Sequence, residues 1–171
     1  MLKTTALTLL GLILLGMLIS PLYAEEEEVE VQVTTRSLSA PMASQLAQAA
    51  YDDCTKRGYQ VAVAVVARDG SLLAFVRNPL AGPHTIEVSQ RKAWTSTTFK
   101  APTTQLMGRE FMRDIPGALL IGGGMPINVG GYFYGAVGVS GAPAEKKPGD
   151  VDDFCAEAGI EAIAEEIEMG G

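Results

Sequence analysis

The sequence predicts an α+β fold in which an antiparallel sheet of about five strands is flanked by helices. Three observations carry that expectation. Apolar runs at Val61–Ala67 and Ser71–Arg77 are joined through Asp69-Gly70, a hairpin signal between strands. The stretch Ile115–Gly141 holds nine glycines between apolar runs that are short and rich in β-branched and aromatic residues. Helical patterns precede, separate and follow these strands, which suits a layered α+β domain better than a strictly alternating parallel one.

Taken in order, Met1–Ala24 reads as a targeting segment. Lys3 gives a basic start, Ala6–Ile19 is an apolar run, and Pro21-Leu22-Tyr23-Ala24 ends on a small residue suited to cleavage. An uncleaved anchor is the alternative, although the run is short for a membrane span. After cleavage no stable membrane insertion is expected, and the protein would be periplasmic or secreted. Residues 25–38 form an acidic leader and extended arm, and residues 39–171 a single domain.

Within that domain Ser39 caps a helix from Ala40 to Arg57, Pro41 suits its first turn and Gly58 stops it. Its apolar face is mostly alanine, so it must lie close against a neighbour. The strand Val61–Ala67 is apolar on both faces, as for a central strand covered on two sides. A turn-rich loop, Asn78–Pro83, leads to a second helix, His84–Lys100. Thr103 is expected to cap a shorter helix reaching about Met112. In the glycine-rich stretch, Ala118–Ile121 and Tyr132–Ser140 are expected strands, Gly130-Gly131 a tight turn, and Gly122-Gly123-Gly124 a bend before Met125-Pro126-Ile127. A last helix spans Val151–Glu168, with Asp150 as its cap and Asp152 and Asp153 complementing its dipole. Its expected apolar stripe is Val151, Phe154, Cys155, Ala158, Ala162, Ile163 and Ile167.

Composition excludes several functions. With 13 basic and 20 acidic residues the formal charge is −7, against nucleic-acid binding. His84 is the only histidine, so a Ser-His-Asp arrangement could be built only around it, and with no Gly-x-Ser-x-Gly elbow a hydrolase is not expected. One histidine and two distant cysteines do not make a zinc site, and the triple glycine lacks a Gly-Lys-Ser/Thr ending. In an exported chain, Cys54 and Cys155, each on the apolar face of a terminal helix, are expected to form a disulfide; two buried free thiols are the alternative. The consecutive aromatics Tyr132, Phe133 and Tyr134 offer more apolar surface than one sheet face can bury, which predicts a homo-oligomer.

The elements Gly58-Tyr59-Gln60-Val61-Ala62-Val63, Asp69-Gly70, Lys92-Ala93-Trp94-Thr95-Ser96, Gly123-Gly124-Met125-Pro126-Ile127, Gly135-Ala136-Val137-Gly138-Val139-Ser140-Gly141 and Asp153-Phe154-Cys155-Ala156 together resemble the GlcG/HbpS-like haem-binding family. They also resemble the C-terminal domain of PduO-type corrinoid adenosyltransferases. The resemblance covers roughly Leu46–Ile163. It implies a profilin-like sandwich, frequent oligomerisation and haem or another tetrapyrrole as ligand. At the turn the family often has an acidic residue before glycine, where this chain has Gly130-Gly131.

Haem needs one axial donor, an apolar slot and cations for its propionates. His84 is the expected axial ligand of the haem iron, with Arg77, Arg91 and Lys92 as propionate partners. Positions 84, 88, 91 and 95 share one helical face. The function expected is an exported haem-binding protein engaged in haem sensing, storage or handling, without strong catalytic activity. Two alternatives stand beside it. One is a domain binding a small organic acid, with Lys92 and Arg77 as a carboxylate clamp and Ser140 in the pocket. The other is a structural interaction protein that assembles through the glycine-rich hairpin.

Overall fold

The computed structural model describes residues 32–170, and the chain from Thr35 onward packs as one unit. The expected signal peptide and the acidic run Glu25–Glu30 lie outside the described residues. Among those described, no helix is long and apolar enough to cross a membrane.

The first helix, α1, spans Ala40–Lys56. The Ser39 hydroxyl accepts a hydrogen bond from Met42 N at 3.4 Å, which satisfies one of the amides that a helix start leaves unpaired. Gly58 takes φ +90° just beyond its end. Strands β1 (Ala62–Ala67) and β2 (Leu72–Arg77) follow as an antiparallel hairpin. Helix α2 is Thr85–Phe99, with His84 at its cap position. A single turn, α3 (Thr103–Leu106), and a 3-10 turn at Glu110–Met112 replace the one helix expected from Thr103 to Met112. Gly108, at φ +83°, separates them. The Thr103 hydroxyl does not cap: it accepts from Gly124 N at 2.9 Å, holding the start of the next strand.

Strands β3 (Gly124–Val129) and β4 (Tyr132–Ser140) form the second hairpin, turned by Gly130-Gly131 at φ +56° and +80°. Both values lie where a turn joining tightly twisted strands needs them and where glycine has no steric penalty. Ala118–Ile121 is not a strand. Arg91 takes the carbonyls of Gly117 (3.2 Å) and Ala118 (3.0 Å), and Leu119 N donates to Thr95 Oγ1 at 2.9 Å. Side chains of α2 thus satisfy backbone groups that a sheet ladder would otherwise have used. Among the described residues the sheet therefore has four strands, in the order β2-β1-β4-β3, every neighbouring pair antiparallel.

Helix α4 runs from Asp150 to Gly170. With α1 it covers one face of the sheet, over a core that includes Leu46, Val61, Val63, Val137, Val139 and Ile163. Gly159 makes the helix pair close: a Cβ there would lie 2.8 Å from the Ala50 Cβ. Phe154 and Ala162, placed in the apolar stripe by sequence, are exposed, while Ala156 and Gly159 are buried. The buried stripe runs Val151, Cys155, Gly159, Ile163 instead, close to one turn per step. Cys54 and Cys155 are joined by a disulfide that ties α1 to α4.

Helix α2 alone covers the other face. The strand positions beneath it are small (Ala62, Ala64, Ala136, Gly138), and a Cβ at Gly138 would meet the Ser89 carbonyl and, at 2.6 Å, the Ala93 amide nitrogen. The sequence pattern of β1 is explained by this asymmetry. Val63 and Val65 fill the thick side, while Ala62 and Ala64 let a helix approach the thin one, where Val66 packs against Ala93.

Candidate functional site

Arg77, Ala62 and Ser140 are register partners across β2, β1 and β4, so they mark one end of the sheet. The start of α2 lies over that end. A cavity of about 250 Å3 there is lined by His84, Val88, Lys92, Ile121, Ser140 and Asp152, with parts of the 141–149 loop.

His84 is exposed and makes no capping hydrogen bond, so its imidazole is not spent on starting the helix. Gly82 gives the ring its place, since a Cβ at that position would sit 2.7 Å from His84 Cε1. The loop that carries His84 is braced from the strand: a guanidinium N–H of Arg77 donates to the Ala81 carbonyl. Arg77 Nε is buried and has no hydrogen-bond partner among the described residues.

Lys92 forms the floor. Its ammonium donates to Asp152 Oδ2 at 2.7 Å and to the Val139 carbonyl at 2.9 Å, and the two charged side chains are 2% and 3% exposed. Two of its three donors are therefore committed within the protein, where a propionate contact was expected. Asp152 Oδ1 accepts from Ala142 N at 3.0 Å, so the same carboxylate fixes the loop after β4. Burial pushes the Asp152 carboxyl above its ordinary value, against the opposing pull of Lys92.

Asp153 does the matching work on the other side. It accepts from Gly123 N at 2.5 Å and from the Thr104 hydroxyl, which holds the triple-glycine bend, and burial raises its pKa as well. Gly123 takes φ +107°, and a Cβ there would lie 2.7 Å from Lys92 Nζ. Both carboxylates stand in the first turn of α4, where the sequence expects them to complement its dipole, and both are buried. Asp150, expected to cap α4, instead accepts from the amides of Glu145 (3.0 Å), Lys146 (2.6 Å) and Lys147 (3.0 Å), organising the loop before it.

Of the expected site residues, His84 and Lys92 share this cavity, together with Ser140. Arg91 lies on the opposite flank of α2, bound to Gly117 and Ala118 and paired with Glu87 at 3.4 Å, in a separate groove with Trp94 and Leu72. Arg77 reaches the site through the Ala81 carbonyl and does not line the cavity beside Lys92, as a carboxylate clamp requires. Sequence reasoning missed Asp152 and Asp153. The available signal was Lys92 itself: next to Ala93 on a helix that must pack closely, a lysine needs a buried carboxylate. Among the described residues no group of three or more metal-ligating side chains is assembled.

The architecture is thus an α+β sandwich with a cavity at one end of its sheet, headed by a single imidazole. Residues 38–161 match the family described as haem degrading protein HbpS-like. Protein GlcG of Escherichia coli K12 is 34% identical over 108 residues, 60% of this chain and 81% of that protein. The crystal structure of a double mutant of Streptomyces reticuli HbpS superposes with a TM-score of 0.72 at 35% identity, covering 77% of this chain and 90% of that one. A crystal structure of a PduOC:heme complex gives a TM-score of 0.64 at 26% identity, covering 75% and 96%. The chain belongs to the HbpS-like family.

Proposed function

We propose that this protein is an exported haem-binding protein in which His84 holds the haem iron. The observation that carries the reading is the state of its only histidine: an exposed imidazole, free of capping duty, set over a glycine at the rim of a cavity with the apolar side chains of Val88 and Ile121. An axial ligand needs an unengaged ring nitrogen and an apolar wall for the macrocycle. Membership of the HbpS-like family and the haem complex of PduOC support haem as the group bound. Lys92, which lines the cavity, retains one donor not committed to the protein and is the cation that a propionate would meet. Bound iron would supply ligand exchange and redox chemistry; the protein contributes the imidazole, the apolar wall and the cation.

Residues 1–24 act as a signal peptide, residues 25–38 as a leader and residues 39–171 as the haem-binding domain of a periplasmic or secreted protein. The domain assembles with copies of itself. Tyr132 is 48% exposed at the β3–β4 turn and Phe133 is half-buried, although Tyr134, expected on the same surface, is buried in the core. Addition of haemin to the purified mature protein tests the ligand directly. A saturable Soret shift is expected, and the spectrum of free haemin at every protein concentration would contradict the proposal.

A further inference from the structure

At the end of the sheet opposite His84, about 17 Å away along β1 at ~3.3 Å per residue, a second cleft of about 460 Å3 is lined by Arg36, Arg68, Thr35, Ser37, Ser71 and Asp69, among others. Among the described residues, both arginines are held in place by neighbours that carry no opposite charge. The Arg36 guanidinium lies 3.6 Å from the centre of the Tyr132 ring. Arg68 donates from Nη1 to the Phe133 carbonyl at 3.0 Å and stands 5.3 Å from the Phe133 ring, which Lys100 also approaches, at 5.7 Å.

Among the described residues neither Arg36 nor Arg68 is in an ion pair; the cations so paired are Arg57, Arg91 and Lys92. The one carboxylate in the cleft is already engaged, as Asp69 Oδ1 accepts from Ser71 N at 2.9 Å and from Ser71 Oγ at 2.5 Å. On its other side Arg36 borders clefts that contain Glu166 and Glu168, neither within ion-pair distance of it. In a chain of net charge −7, three cations gathered around Tyr132 and Phe133 form a local exception.

We infer that this cleft binds a small oxyanion, a phosphate or a dicarboxylate, between the guanidinium groups of Arg36 and Arg68. A guanidinium presents paired N–H donors that match two oxygens of such an anion, and stacking on an aromatic ring restricts its motion before the ligand arrives. The hydroxyls of Thr35 and Ser37 lie in the same lining and can complete the oxygen contacts. The site is independent of haem.

Titration of the mature protein with inorganic phosphate in one arm and succinate in the other, followed by calorimetry and by amide NMR shifts at residues 67–71, tests it. Saturable binding of at least one anion is expected, and the arm that saturates names the class. Arg36→Gln and Arg68→Gln should each weaken it about tenfold or more, the loss expected for a charge-assisted contact, with circular dichroism unchanged. Lys146→Gln, on the distant 142–149 loop, should leave it intact. Saturation by neither anion, or wild-type affinity in either arginine variant, would overturn the assignment.

Discussion

The Lys92 ammonium and the Asp152 carboxylate meet at 2.7 Å in the interior, bridging α2 and the start of α4 directly beneath the cavity that His84 heads. Neither charge has access to water that would compensate for a lost partner, so the pair behaves as one unit.

Removing one member should therefore cost far more than removing both. Lys92→Met or Asp152→Asn alone is expected to destabilise the fold by about 3–5 kcal/mol, the usual consequence of leaving a buried charge uncompensated. The combined Lys92→Met/Asp152→Asn protein should recover a large part of that loss. A double-mutant cycle in urea measures it; strictly additive single effects would contradict the coupling.

The Cys54–Cys155 bridge closes a loop with a sequence separation of 101 residues. A loop of that order contributes roughly 4.7 kcal/mol in the chain-entropy treatment. Thiol titration of the denatured, unreduced protein should find no free thiol, and reduction should lower the urea midpoint markedly. Two free thiols per chain, or an unchanged midpoint after full reduction, would refute the staple.

Most of the fold could be read from local chemistry. The Ser39 cap, the Asp69-Gly70 and Gly130-Gly131 turns and the valine and alanine alternation of β1 each act within a few residues, and the sequence places them correctly. Ala118–Ile121 was misread because its backbone partners, Arg91 and Thr95, are more than twenty residues away. The Lys92–Asp152 pair, sixty residues apart, was hidden for the same reason. An acidic pair at a helix start satisfies a local dipole rule equally well whether it is exposed or buried, and only the packing of α2 decides between them.

Acid should loosen the loop before α4 over a defined range. Four backbone amides hold the Asp150 carboxylate down at about 2, below the ordinary 3.8. Its contribution is thus complete above 3.8 and disappears as pH falls through about 2. Asp153 acts oppositely: raised by burial, it favours the fold more when protonated, and that contribution is lost as pH rises through its folded-state value. The amide shifts of Glu145, Lys146 and Lys147 should titrate with a midpoint near 2, and Asp150→Asn should abolish the transition. A midpoint at 3.8 would show that the amide network does not hold the carboxylate.

Export is tested by mass. Full-length chain expressed in a bacterium with a periplasm should be recovered from the periplasmic fraction beginning at Glu25. Protein whose intact mass still includes Met1–Ala24 would contradict the assignment of a cleaved signal peptide.

The proposed role of His84 is tested most directly by haemin titration of the His84→Ala protein beside the wild type. Loss of the imidazole-type spectrum and much weaker binding are predicted, because the substitution removes the only histidine in the chain. Because His84 is exposed, its removal should leave the fold intact, and an unchanged circular dichroism spectrum checks this. A variant that keeps the wild-type haem spectrum and affinity would contradict the account, since the iron would then be held by another group.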